Sequence, residues 1–219
     1  MDIRVDWPIR GHAYTKEEIS VVAEVMNSTD VPLTQGGNVQ KFEKEFAAYL
    51  NTDYAFSTMS CAHSLDIAAM LADIQFGDEV VIPAHTYCAS AISFARCGAV
   101  IKWADIDSDS LTMSPESLKK LVSNKTKAIV LVHLYGLLSP HVLEIAEFAK
   151  QKNIILIEDC AQALGAKLGD SHCGTFGDIG CYSFHAQKNL TTLGEGCMLT
   201  VKSPLMAKKI PGLRLNGHA

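Results

Sequence analysis

The chain has no run of lysine or arginine longer than a pair, no Cys-x-x-C spacing and no apolar stretch long enough to span a bilayer. Each absence removes a class of function. Without a basic run, and with a formal net charge of -5, the surface is not built for phosphodiester backbones or anionic membranes, so neither nucleic acid nor membrane is expected as a partner. Small molecules and other proteins remain. Seven cysteines, an odd number spread from Cys61 to Cys197, suggest neither a disulfide framework nor a zinc site. No metal is expected, and the cysteine usage points to a reducing, cytoplasmic compartment. The longest apolar run, about 128–138, is interrupted by His133, and MDIRVDWPIR has no apolar core, so neither a membrane helix nor a signal peptide is expected. There is also no internal repeat, low-complexity tract or linker. At 219 residues and 48% hydrophobic content, one large domain over 1–219 is the expectation.

What is present reads as alternating helices and strands. Thr15 and Glu18 form a capping box ahead of Ile19, Val22 and Val25, which predicts a helix over about 16–26. Residues 32–37 read as a loop. Val39, Phe42, Phe46, Ala47 and Leu50 give the next helix its buried stripe, 54–57 is a short strand, and Ser60 caps a helix carrying Leu65, Ala68, Ala69 and Ala72 on one face. From Gly77 onward GDEVVIP, AVIKWADI, KAIVLVHLYG and NIILIED are four apolar, β-branched runs separated by helix-length segments. That alternation predicts an α/β fold, a mostly parallel sheet flanked by helices. Ser114-Pro115 and Ser139-Pro140 are each expected to start a helix, serine as cap and proline at the first helical position.

In an open parallel sheet, ligands sit outside the carboxyl ends of the strands, so the residues after each apolar run carry most information. Those positions hold Glu158, Asp159 and Gln162; His85, Thr86 and Tyr87; His133 and Tyr135. Ser60, Cys61 and Ala62 open a helix directly after a strand, which leaves free N–H groups suited to an anion such as phosphate. GCYSFHAQKNLTTLGEGCMLT (180–200) places one lysine, Lys188, in a polar turn between two apolar strands, with Ser183 ending the first. Taken singly, each has a structural explanation: a serine cap, an acidic cap, a rim tyrosine, a surface lysine. Together they match what pyridoxal 5'-phosphate (PLP) requires: an amine to form a Schiff base, an acid for the pyridine nitrogen, a phosphate cradle and a flat ring for stacking.

The stretches GDEVVIPAHTYCAS (77–90), AVIKWADID (99–107), KTKAIVLVHLYG (125–136), 157–200 and LRLNGHA (213–219) resemble the DegT/DnrJ/StrS family of sugar aminotransferases, within the fold type I PLP-dependent transferases. EDxAQ followed by GTxGDxGxxSFHxxKxLTTxGEG is the most specific part of the match. The resemblance implies that Lys188 is the Schiff-base lysine and the catalytic base. It implies Asp159 as partner of the pyridinium nitrogen, Gln162 as donor to the phenolic oxygen, Tyr87 as the stacking ring, and Ser183 as a phosphate ligand with the N–H groups of Cys61 and Ala62. Asp178 is expected to be structural and Glu195 to orient the lysine loop. The chain departs from the family at Ser60-Cys61-Ala62, where Ser-Gly-Thr is usual and where Ser64 is expected to assist, and at Gly196-Cys197 in place of Gly-Gly. Related dehydratases carry histidine where Lys188 stands. The implied activity is transfer of an amino group, from glutamate, to a nucleotide-linked keto sugar by a homodimer. Because a C-terminal small domain is missing from the match, the alternative is a PLP-binding or regulatory module without turnover.

Overall fold

The computed structural model describes residues 13–29, 32 and 34–215, so MDIRVDWPIR and the last four residues of LRLNGHA lie outside the described residues. The elements in chain order begin with α1 (Lys16–Asn27), α2 (Gly37–Leu50), β1 (Tyr54–Thr58), α3 (Cys61–Leu71), β2 (Glu79–Pro83), α4 (Ala89–Arg96) and β3 (Val100–Ala104). They continue with α5 (Pro115–Leu121), β4 (Thr126–Val132), α6 (Val142–Lys152) and β5 (Ile155–Asp159). A two-residue hairpin, β6 (Lys167–Leu168) and β7 (Ser171–His172), precedes β8 (Ile179–Ser183), β9 (Cys197–Val201) and α7 (Pro204–Arg214). The four apolar runs are β2 to β5, and the α/β expectation holds.

Seven strands form one sheet in the order β1-β9-β8-β5-β4-β2-β3, in which only β9 runs against its neighbours. The near-continuous apolar character of the central strands follows from burial on both faces. Along β4, Ala128, Val130 and Val132 pack towards α3 and α4, while Ile129 and Leu131 pack towards α5 and α6. The same two-residue period on β8 and β9 sends Cys181 and Leu199 to the first face. It sends Tyr182 and Met198 to a third cluster, completed by Phe46 and Leu50 of α2. Fully burying a large apolar side chain stabilises by about 1.5–3 kcal/mol, and Phe94, Leu131, Tyr182 and Phe184 are among those almost wholly removed from solvent.

Local signals set most helix starts. Thr15 and Glu18 make both bonds of the capping box, Ser60 accepts from His63 N, and Ser114 accepts from Ser117 N ahead of Pro115. The exception is Ser139-Pro140. Helix α6 starts at Val142 with His141 in the cap position, two residues later than expected, and the buried Ser139 hydroxyl accepts only a long bond, 3.4 Å, from His141 N ahead of the helix. The same hydroxyl lies 3.0 Å from Thr112 Oγ1, and the Ser139 N–H donates to His133 Nδ1 at 3.1 Å. Among the described residues no helix is long and apolar enough to cross a membrane.

Candidate active site

The carboxyl ends of β2, β4, β5 and β8 open on one cavity of about 820 Å³, closed at its sides by the first turn of α3 and by the loop between β8 and β9. All seven residues singled out in the sequence, Cys61, Ala62, Tyr87, Asp159, Gln162, Ser183 and Lys188, line it.

Asp159 is the last residue of β5, 5% exposed, and each of its carboxylate oxygens holds one donor. Oδ1 accepts from Ala161 N at 3.1 Å and Oδ2 accepts from Ser90 Oγ at 2.7 Å. Its neighbour Glu158 points to the other face of the sheet, as strand geometry requires, and does different work. Glu158 Oε2 accepts from His133 Nε2 at 2.9 Å and from Gly174 N at 2.8 Å. Oε1 accepts from Phe176 N at 2.7 Å and from Gly177 N at 2.6 Å. Because His133 Nδ1 accepts the Ser139 N–H, the imidazole proton sits on Nε2, and the buried carboxylate is saturated by donors. His133, Glu158 and Cys160 do lie within 4.8 Å of one another, yet both nitrogens of the ring are already engaged in hydrogen bonds.

Gln162 is oriented by a loop in an uncommon conformation. Tyr135 has φ +56°, which turns its N–H onto Gln162 Oε1 at 3.2 Å, while Gly136 N donates to the Gln162 carbonyl. With its oxygen spent, the Gln162 amide offers its NH2 group. The Tyr135 hydroxyl meets His85 Nε2 at 3.1 Å. His85 Nδ1 faces the Leu111 carbonyl at 3.2 Å and so carries the proton, which makes Nε2 the acceptor. Tyr87 is 69% exposed at the mouth.

Cys61 and Ala62 are the first two residues of α3, where helical N–H groups have no internal acceptor. Ser183 Oγ, at the end of β8, accepts the His185 N–H at 3.3 Å. The expected help from Ser64 is not available, because its hydroxyl is buried between Thr58 Oγ1 at 2.6 Å and Cys197 Sγ at 2.9 Å. A hydrogen bond with Cys197, then burial, pushes the Cys61 thiol well above its usual range, so it stays a neutral thiol beside the cradle.

Lys188 is half-buried, and its ammonium has no hydrogen-bond or ion-pair partner among the described residues. Its loop is folded back on itself. Phe184 N donates to Gly196 O and Ala186 N to Gly194 O, both at 2.8 Å, and Lys188 N donates to His185 O. His185 Nδ1 accepts from Gln187 N, so its other nitrogen carries a proton towards Glu195 Oε1 at 3.5 Å. Glu195 therefore braces the loop through His185. Asp178 is structural, accepting from Leu156 N at 2.9 Å.

Sequence inspection did not single out Ser90, or separate the two acids Glu158 and Asp159 by residue type. A hydroxyl in the first turn of α4 has no spacing signal that marks it as the partner of an acid 69 positions later.

The sheet order, the reversed strand β9 and a lysine loop joining β8 to β9 beside a strand-end cavity define the large domain of a fold type I transferase. The DegT/DnrJ/EryC1/StrS aminotransferase family matches residues 12–219, and the chain belongs to that family. GDP-perosamine synthase of Escherichia coli O157:H7 is 39% identical over 193 residues, 88% of this chain and 52% of that protein. The aminotransferase from Psychrobacter cryohalolentis superposes with a TM-score of 0.87 at 35% identity, over 95% of this chain and 51% of the other. The E. coli GDP-4-keto-6-deoxy-D-mannose-3-dehydratase, solved with bound hydrated PLP, gives a TM-score of 0.84 at 27% identity, over 94% of this chain and 54% of the other. The chain spans about half the length of the curated relatives it matches.

Proposed function

We propose that this chain is the PLP-binding large domain of an aminotransferase that moves an amino group, with glutamate as donor, onto a nucleotide-linked keto sugar in surface-polysaccharide or natural-product sugar biosynthesis. One observation carries the proposal: an amine with no partner among the described residues, Lys188, and a carboxylate fixed by two donors, Asp159, share one strand-end cavity. Relatives named for GDP-perosamine and for a GDP-linked keto sugar support the nucleotide-sugar assignment. The cavity, about 820 Å³, falls within the roughly 300–1,000 Å³ of small-molecule sites.

The donor set fits PLP group by group. The N–H groups of Cys61 and Ala62, at the positive end of the α3 dipole, and the Ser183 hydroxyl suit a phosphate. Alanine at position 62 removes a hydroxyl from the cradle but leaves its backbone donors. The NH2 group of Gln162 suits the phenolic oxygen, the Asp159 carboxylate suits a protonated ring nitrogen, and the exposed ring of Tyr87 suits stacking. When bound, PLP supplies the electron sink for negative charge developing at the substrate carbon. Asp159 keeps the ring nitrogen charged. Lys188 would hold the cofactor between turnovers and then, as a free amine, take the proton from the substrate carbon and deliver it to the cofactor, the transfer that leaves the amino group behind. Met59, Tyr87 and Tyr135 line the cavity and are exposed, an apolar rim that supports a homodimer with its sites at the interface.

The test is direct. The purified chain titrated with PLP develops a visible absorbance band, borohydride fixes the cofactor, and peptide mapping finds the label on Lys188. Glutamate then bleaches the band and a nucleotide-linked keto sugar restores it. No band in the wild type, or equal labelling in Lys188→Ala, refutes the assignment. A labelled Lys188 with a band that glutamate leaves unchanged reduces the chain to a cofactor-binding module without turnover.

A further inference from the structure

We infer that Ser90 is a positioning residue for the acid of the site, and that with Thr86 it forms a hydroxyl relay aimed at the Asp159 carboxylate. Ser90 is fully buried in the first turn of α4 yet contributes to the cavity wall. Its Oγ lies 2.7 Å from Asp159 Oδ2, and an ionised carboxylate only accepts, so the single serine proton is committed to Asp159. Thr86 Oγ1 lies 2.7 Å from Ser90 Oγ, which must then accept, so Thr86 donates and both hydroxyls point their protons along one direction. With Ala161 N on Oδ1, the relay gives each carboxylate oxygen one internal donor. That fixes the plane of the carboxylate and leaves the remaining lone pairs of each oxygen towards the cavity.

The relay also links two parts of the site. Ser90 N donates to the Tyr87 carbonyl at 3.0 Å, so the ring offered for stacking and the hydroxyl that holds the acid sit on one hydrogen-bonded turn at the entry to α4. A segment of five residues, 86–90, thereby sets both the face and the nitrogen edge available to a bound ring. The inference rests on the assignment of Asp159 to the ring nitrogen of PLP. Removing the Ser90 hydroxyl leaves the carboxylate under-solvated. It then competes harder for the proton it shares with that nitrogen.

The experiment compares wild type, Ser90→Ala, Ser90→Thr, Thr86→Val and Asp159→Ala, each loaded with PLP labelled with nitrogen-15 in the ring. Two quantities are read: the nitrogen-15 chemical shift, which reports protonation of the ring nitrogen, and the dissociation constant of PLP. Ser90→Ala is expected to move the shift towards the unprotonated value and to weaken PLP binding by at most about tenfold, because only the part of the hydrogen bond that strengthens when Asp159 faces a charged ring nitrogen is lost on binding. Ser90→Thr keeps the hydroxyl and restores both, and Thr86→Val moves both in the same direction by less. A purely structural serine would lower the melting temperature without moving the nitrogen shift. If Ser90→Ala leaves both quantities at wild-type values while Asp159→Ala changes them, the relay is refuted and the Asp159 assignment stands. If neither variant changes them, both fail. Should Ser90→Ala not fold, Ser90→Cys carries the same comparison, since a thiol fills the space but is a weak donor.

Discussion

Replacing Glu158 with glutamine tests how this fold supports its site, because the two residues differ by one acceptor oxygen and a charge. In the wild type four buried donors converge on the carboxylate: His133 Nε2, Gly174 N, Phe176 N and Gly177 N. A glutamine amide satisfies only one pair. Its NH2 group must face either His133 and Gly174 or Phe176 and Gly177, and in both orientations two donors meet a donor. A tautomer change does not rescue the first orientation, because His133 Nδ1 is committed to the Ser139 N–H. Each orphaned buried donor costs about 1–3 kcal/mol, and the two bonds that remain lose their charge assistance. Against this, glutamine removes the desolvation cost of a buried carboxylate, itself several kcal/mol when a charge is poorly compensated. Here it is well compensated, so we expect a net loss of about 3 kcal/mol. In a domain of this size that lowers the melting temperature by about 6–12 °C, out of a total stability of about 5–15 kcal/mol, so the variant still folds. Thermal denaturation followed by circular dichroism measures the change. A decrease smaller than about 2 °C would show that the 174–177 turn does not depend on the carboxylate, and the account given for Glu158 would be wrong.

Two further outcomes follow from the same region. Gly174 has φ +83°, and a Cβ there would run into the Tyr182 hydroxyl and lie 3.0 Å from Cys160 Sγ, so Gly174→Ala is expected to destabilise by about 2–4 kcal/mol. A urea midpoint within error of wild type would contradict this. His172 is buried against Tyr49, with ring centroids 4.4 Å apart, and burial, helped by Lys167, holds its imidazole below the ordinary 6.5. The unfolded chain therefore binds this proton at higher pH than the native state. Stability is complete above about pH 6.5 and falls as pH drops from there towards the depressed native value. In His172→Asn that portion of the acid loss disappears; identical pH profiles of melting temperature would exclude His172 as its source.

Much of the fold was written in local sequence. The capping box at Thr15 and Glu18, the caps at Ser60 and Ser114 and the apolar runs of β2 to β5 act over a few residues, and all appear where they are predicted. The cavity-lining residues were also legible, since strand ends in a parallel sheet share one edge and the motif around Lys188 is long and specific. Tertiary structure decided the rest. Ser139-Pro140 carries the same dipeptide as Ser114-Pro115 but its helix starts two residues later than expected, and burial engages the serine with Thr112 and His133. Ser64 sits one turn from the phosphate cradle yet is drawn to Thr58 at the end of β1 and Cys197 at the start of β9. Glu158 and Asp159 are adjacent acids, and only the side of the sheet each faces makes one a brace for the 174–177 turn and the other a ligand-facing group. Ser90 meets Asp159 over a separation of 69 residues. Caps and strand runs are short-range energies that composition and spacing carry, whereas pairings across such distances exist only after the sheet has ordered its strands.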